Sequence, residues 1–140
     1  NMGNKRAIEV GEVQVMSAGT GLTHSEFNDS KTEDVNFLQL WIIPEETGVT
    51  PNYEQRKFSS DKKANQQAFI YKSYLEVGKS IDLTVKSGQN GFYIFIVDGE
   101  IEVADSILSS RDAIGVWETE TLTIKGNKNS ELIIIEVPMN

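Results

Sequence analysis

"GFYIFIVDGEIEVAD", Gly91 to Asp105, sets two apolar runs on either side of Asp98-Gly99, a dipeptide that favours tight turns between strands. The stretch predicts a hairpin. Just upstream, "IDLTVKSG" (Ile81 to Gly88) alternates with a period of two, turning Ile81, Leu83 and Val85 inward and Asp82, Thr84 and Lys86 outward. Downstream, "DAIGVWE", "TLTIKGN" and "ELIIIEVP" bring the expected strands after residue 80 to six. Short strands at such close turn spacing imply a sandwich or a small barrel.

The N-terminal half reads as β too. "VQVMSA" from Val13 is strand-like. "NFLQLWII" (Asn36 to Ile43) puts Phe37 and Trp41 on one side and Leu38, Leu40 and Ile42 on the other. A strand apolar on both faces is expected to be buried on both, as in a barrel wall. Trp41 and Trp117 are the expected core anchors. Between the halves, Pro44 to Gln67 is polar and reads as a linker or crossover. The expected architecture is all-β: a partial N-terminal barrel over residues 1–58, with too few strands to close alone, and a complete C-terminal barrel over 59–140.

Composition narrows the class. With 39% hydrophobic and 24% charged residues in 140, the chain can bury a core without staples. It has no cysteine, which fits a cytoplasmic home. No apolar run in the sequence approaches the ~20 residues that span a bilayer, so no membrane partner is expected. Thirteen basic against 21 acidic residues give a formal charge of −8, which disfavours direct nucleic-acid binding.

The only histidine, His24, lies in "GTGLTHSEFN" (Gly19 to Asn28), two residues before Glu26. In extended backbone the two side chains face one way, and an imidazole nitrogen beside a carboxylate oxygen suits iron, manganese or zinc. Spacing alone favours a hydrogen-bonded structural histidine over a ligand, because a single H-x-E is common by chance. A serine–histidine–aspartate triad has no support, and no glycine loop opens a helix to cradle phosphate.

The surroundings carry more. Gly21, His24 and Asn28 fit the second motif of the cupin superfamily, with Gly19 where proline is usual. More narrowly, Gln14, Met16 to Gly19, His24 to Glu26, Trp41 to Pro44 and Pro51 to Gln55 resemble the pirin family pattern Q-x-M-(S/T)-A-G, H-S-E, W-I-x-P and P-x-Y-x-Q. The likeness continues through "NGFYIFIVDGEIEV" and "RDAIGVWETE" to "ELIIIEVPM".

The resemblance implies a bicupin of jelly-roll barrels with Fe(II) in the first, held by three histidines and a glutamate. His24 and Glu26 match the last histidine and the glutamate of that set. The other two histidines belong to a first motif that has no counterpart here, so the resemblance implies a chain lacking that N-terminal part, with activity lost or impaired. The implied activity is iron-dependent quercetin (flavonol) dioxygenation, with Glu26 also taking the substrate hydroxyl proton as the catalytic base. The second barrel should be metal-free and apolar inside.

Tyr53 is expected to pack locally rather than to act at a site. The alternative function is a non-catalytic binding module with a protein partner. Unpaired edges and apolar faces around Val13, Val15 and Leu38 predict a homodimer through the N-terminal lobe.

Overall fold

The computed structural model describes residues 3, 5–43, 46–57 and 68–139. Pro44 and Glu45, most of the expected linker, and the boundary expected between residues 58 and 59 lie outside the described residues. The chain forms two compact units, Asn1–Ser59 and Ser60–Asn140. Among the described residues there are ten strands and no helix, and so no helix long and apolar enough to cross a membrane.

In the first unit, β1 (Glu12–Ser17) pairs antiparallel with β2 (Asn52–Lys57), placing Gln14 opposite Gln55 and Met16 opposite Tyr53. β2 corrects the reading of Pro44 to Gln67 as a connection without strands. "NYEQRK" has little apolar signal of its own, and β1 supplies the ladder that makes it a strand. The opposite correction applies to Asn36 to Ile43. No ladder hydrogen bonds organise it among the described residues, and Trp41 is 90% and Ile43 93% exposed. Apolar, β-branched composition is not sufficient for a strand without a neighbour to pair with.

The second unit contains β3 (Phe69–Leu75), β4 (Ser80–Thr84), β5 (Asn90–Asp98), β6 (Glu100–Val103), β7 (Ser106–Ser109), β8 (Ala113–Val116), β9 (Thr121–Gly126) and β10 (Ser130–Pro138). They form two four-stranded antiparallel sheets, ordered β3-β10-β5-β8 and β4-β9-β6-β7, the layout of a cupin-type jelly roll. β9 buries Leu122 and Ile124 and exposes Thr121, Thr123 and Lys125, the alternation expected of a strand with one wet face. Ile81, Leu83 and Val85 pack against the core, as their spacing predicts.

Inside, Ile94, Ile96, Ile101, Ile124, Leu132 and Ile134 are essentially free of solvent. Each is worth roughly 1.5–3 kcal/mol relative to exposure. The interior is not purely apolar as expected, because Glu136 follows Leu132 and Ile134 on the inward side of β10 and is fully buried. Its Oε1 accepts hydrogen bonds from the Lys86 backbone N–H at 2.6 Å and Asn90 Nδ2 at 2.7 Å; its Oε2 accepts one from the Tyr71 hydroxyl at 3.3 Å. Three donors replace the water that burial removes. Trp117, expected as a core anchor, is 54% exposed, as the apolar strands fill the interior without it.

The turns differ from expectation as well. Asp98-Gly99 is not a hairpin: β5 and β6 lie in different sheets, so the chain turns a corner there and crosses between layers. Gly99 has φ +102, and a Cβ would come within 2.6 Å of Ser130 Cα and 2.5 Å of the Asn129 carbonyl oxygen. The hairpin lies one strand later, at Ala104-Asp105, with φ of 46 and 58 between the paired Val103 and Ser106. Two successive left-handed residues make the type I′ geometry that matches strand twist. The resulting strand, β7, had no separate signal.

Substituting Gly99→Ala combines left-handed strain with backbone collision, so it should destabilise the protein by about 1–3 kcal/mol. Urea unfolding measures this, and a wild-type midpoint would show that the corner relaxes freely.

Candidate metal centre

The segment bearing His24 leaves β1 through a tight turn. Gly21 N–H donates to the Ala18 carbonyl at 2.8 Å, and Thr20 N–H to the Val49 carbonyl at 3.0 Å. Gly19 sits at φ +51 so close to the Val49 backbone that no Cβ fits. Proline, held near φ −65°, cannot occupy this conformation, which gives a physical reason for glycine at that place in the motif.

Beyond the turn the chain runs without regular structure from Gly21 to Asn28, where strand had been expected. The same-side prediction nevertheless holds: His24 Nε2 and Glu26 Oε1 lie 3.8 Å apart. Asn28 ends the segment by donating to the Glu33 carbonyl at 2.7 Å and accepting from Ser30 N–H at 3.0 Å. The Ser30 hydroxyl caps Glu33 N–H at 3.0 Å. The motif asparagine thus closes a local turn.

A separation of 3.8 Å is too long for a good hydrogen bond. Two donors bound to one first-row ion at about 2.1 Å each are about 3.0–3.4 Å apart at octahedral to tetrahedral angles. The pair therefore fits two neighbouring ligands after closing by about 0.4–0.8 Å. It is not a whole site: no group of three or more His, Cys, Asp or Glu suited to an ion occurs among the described residues.

Glu26 has a second partner that sequence reasoning missed. Gln39 Nε2 donates to Glu26 Oε2 at 2.7 Å. The available signal was a lone amide in an apolar run, on the side of the alternation assigned to Phe37 and Trp41.

The remaining motif residues meet across β1 and β2. Gln14 Nε2 donates to the Tyr53 hydroxyl at 3.1 Å, which donates to Gln55 Oε1 at 3.0 Å. Gln55 Nε2 in turn donates to Glu12 Oε2 at 2.6 Å and to the Ala7 carbonyl at 2.7 Å. Tyr53 is thus bonded locally, as expected. The Glu9 backbone N–H and, after it, the Gln55 amide hold the Glu12 carboxyl below its ordinary value. Among the other residues read from sequence, Val15 and Leu38 are exposed and Val13 is half-buried.

Residues 1–42 match the pirin family model, and residues 57–137 match that of the quercetinase C-terminal cupin domain. Quercetin 2,3-dioxygenase of Escherichia coli is 32% identical over 154 residues, covering 99% of this chain and 66% of that protein. A putative quercetin 2,3-dioxygenase of Zymomonas mobilis is 31% identical, covering 96% and 65%. The chain thus spans just under two thirds of the length of these relatives. Among solved structures, the Escherichia coli bacterial pirin YhhW in complex with nickel(II) superposes with a TM-score of 0.89 at 31% identity, covering 99% of this chain and 66% of that one. A quercetin 2,3-dioxygenase of Acinetobacter baumannii shares the fold, with a TM-score of 0.73 at 16% identity over 95% of this chain and 58% of that one.

The Glu12 carboxyl should titrate below the ordinary range in carbon-detected NMR, and Gln55→Leu should move it back up part of the way. A depressed folded pKa means that its stabilising contribution is present above the unfolded value and is lost as pH falls through the folded one. An unmoved titration in Gln55→Leu would remove the side-chain amide as a cause.

Proposed function

The chain belongs to the pirin family, and from that membership we propose that it carries part of the metal site of a quercetin 2,3-dioxygenase-type, cytoplasmic protein. The observation that supports this most is the convergence of His24 Nε2 and Glu26 Oε1 within the family's H-S-E motif. His24 ligates through the lone pair of Nε2, and Glu26 through Oε1. The ion is Fe(II), and when bound it supplies Lewis-acid polarisation of a flavonol substrate and a template that orients it. Glu26 takes the proton of the flavonol hydroxyl, a task suited to a carboxylate within reach of the substrate. Half-exposure of His24 leaves this face open to a ligand.

Anaerobic loading with ferrous iron, desalting and elemental analysis test the proposal. Iron retained by the wild type should be lost in His24→Ala and in Glu26→Ala, and a wild type that retains none would equally count against the assignment. Retention unchanged in both variants would overturn the assignment.

A second reading rests on exposed apolar side chains in the first unit, where Phe27, Phe37, Leu38, Leu40, Trp41 and Ile43 all face solvent. Side chains of this kind are commonly covered by association. The expected cover is a second copy, so light scattering should give a dimer mass at micromolar concentration. A monodisperse monomer contradicts it.

A further inference from the structure

We infer that Gln39 is a positioning residue that decides which oxygen of Glu26 is available to a metal. The inference rests on the ligand role proposed for His24 and Glu26 and extends it to a side chain outside the motif. A carboxylate can only accept, so the Gln39 amide must present its nitrogen, and the 2.7 Å bond to Oε2 has one possible polarity. Oε1, the other oxygen, is the one turned toward His24 Nε2. The two partners divide the carboxylate between them. With Oε2 occupied, Glu26 binds an ion through Oε1 alone, beside the imidazole.

Neither Glu26 nor Gln39 lies in a strand. The segment around Glu26 thus has no ladder to set the direction of the carboxylate, and a bond spanning thirteen positions does so instead. Outer-shell bonds of this kind fix ligand orientation, and their loss typically weakens metal binding about 10–100-fold. Gln39 is exposed, so removing its amide need not disturb a core.

Gln39→Met removes the donor while keeping the side-chain length. Nickel(II) is the probe, titrated calorimetrically into the purified protein, with infrared spectroscopy of the carboxylate stretches to separate one-oxygen from two-oxygen binding. The variant should bind nickel about 10–100-fold more weakly. Its carboxylate bands should shift toward two-oxygen binding, with little change in thermal midpoint. In a Glu26→Ala background the same substitution should have no further effect on affinity.

Wild-type affinity and bands in Gln39→Met would overturn the inference while leaving the His24–Glu26 site intact. Nickel binding absent, or indifferent to His24→Ala, would overturn the metal reading itself. The metal-free protein then decides the hydrogen bond separately: the Gln39 side-chain amide proton should shift upfield in Glu26→Ala, and an unchanged signal would overturn the pairing.

Discussion

Strand β10 is hydrogen-bonded along both edges, to β3 on one side and β5 on the other, and the second unit is arranged around that double pairing. Its alternation turns Leu132, Ile134 and Glu136 to the interior. Sliding β10 by one residue would exchange these for Ile133 and Ile135, an apolar set that the interior would also accept. Hydrophobicity alone thus leaves the register of a run such as "LIII" weakly specified. Glu136 resolves the ambiguity, because only the observed register brings its carboxylate to Lys86 N–H, Asn90 Nδ2 and the Tyr71 hydroxyl. A displaced Glu136 would leave these donors without their acceptor.

In the first unit, where none of the described residues is fully buried, polar side chains do comparable work. Gln14, Tyr53, Gln55 and Glu12 form one chain of hydrogen bonds across a two-stranded ladder. His24, Glu26 and Gln39 form a second group on backbone outside strands. The first group sits on regular pairing, so the spacing of its motif residues follows from strand register. The second relies on a glycine turn at Gly19 and an asparagine-closed turn at Asn28 to hold the segment between them.

The sequence was legible wherever a local pattern had a local cause. Alternation in Ile81 to Val85 identified inward residues, because one face of the strand is wet. The nearness of His24 to Glu26 agrees with their two-residue spacing, although the segment is not a strand. The reading failed where the cause lay elsewhere in the chain. Asp98-Gly99 has turn chemistry, but the partner of the next strand decides whether a turn makes a hairpin or a corner. "NYEQRK" became a strand through β1, and "NFLQLWII" has no assigned strand despite its composition. Ala104-Asp105 lacks the usual glycine or asparagine and still adopts left-handed geometry at both positions. The burial of Glu136 left no local signal, because its donors are 46 to 65 residues away.

The order in which strands meet also bears on how the protein is made. β3 and β5 are separated in their sheet by β10, so two strands synthesised early have to wait for one that emerges after residue 130. At ribosomal speeds of about 5–20 residues per second, β3 spends several seconds without β10, the strand it pairs with among the described residues. Unpaired edges invite pairing with other chains. The net charge of −8 opposes such pairing between copies of the chain until the one later segment that joins these strands has emerged.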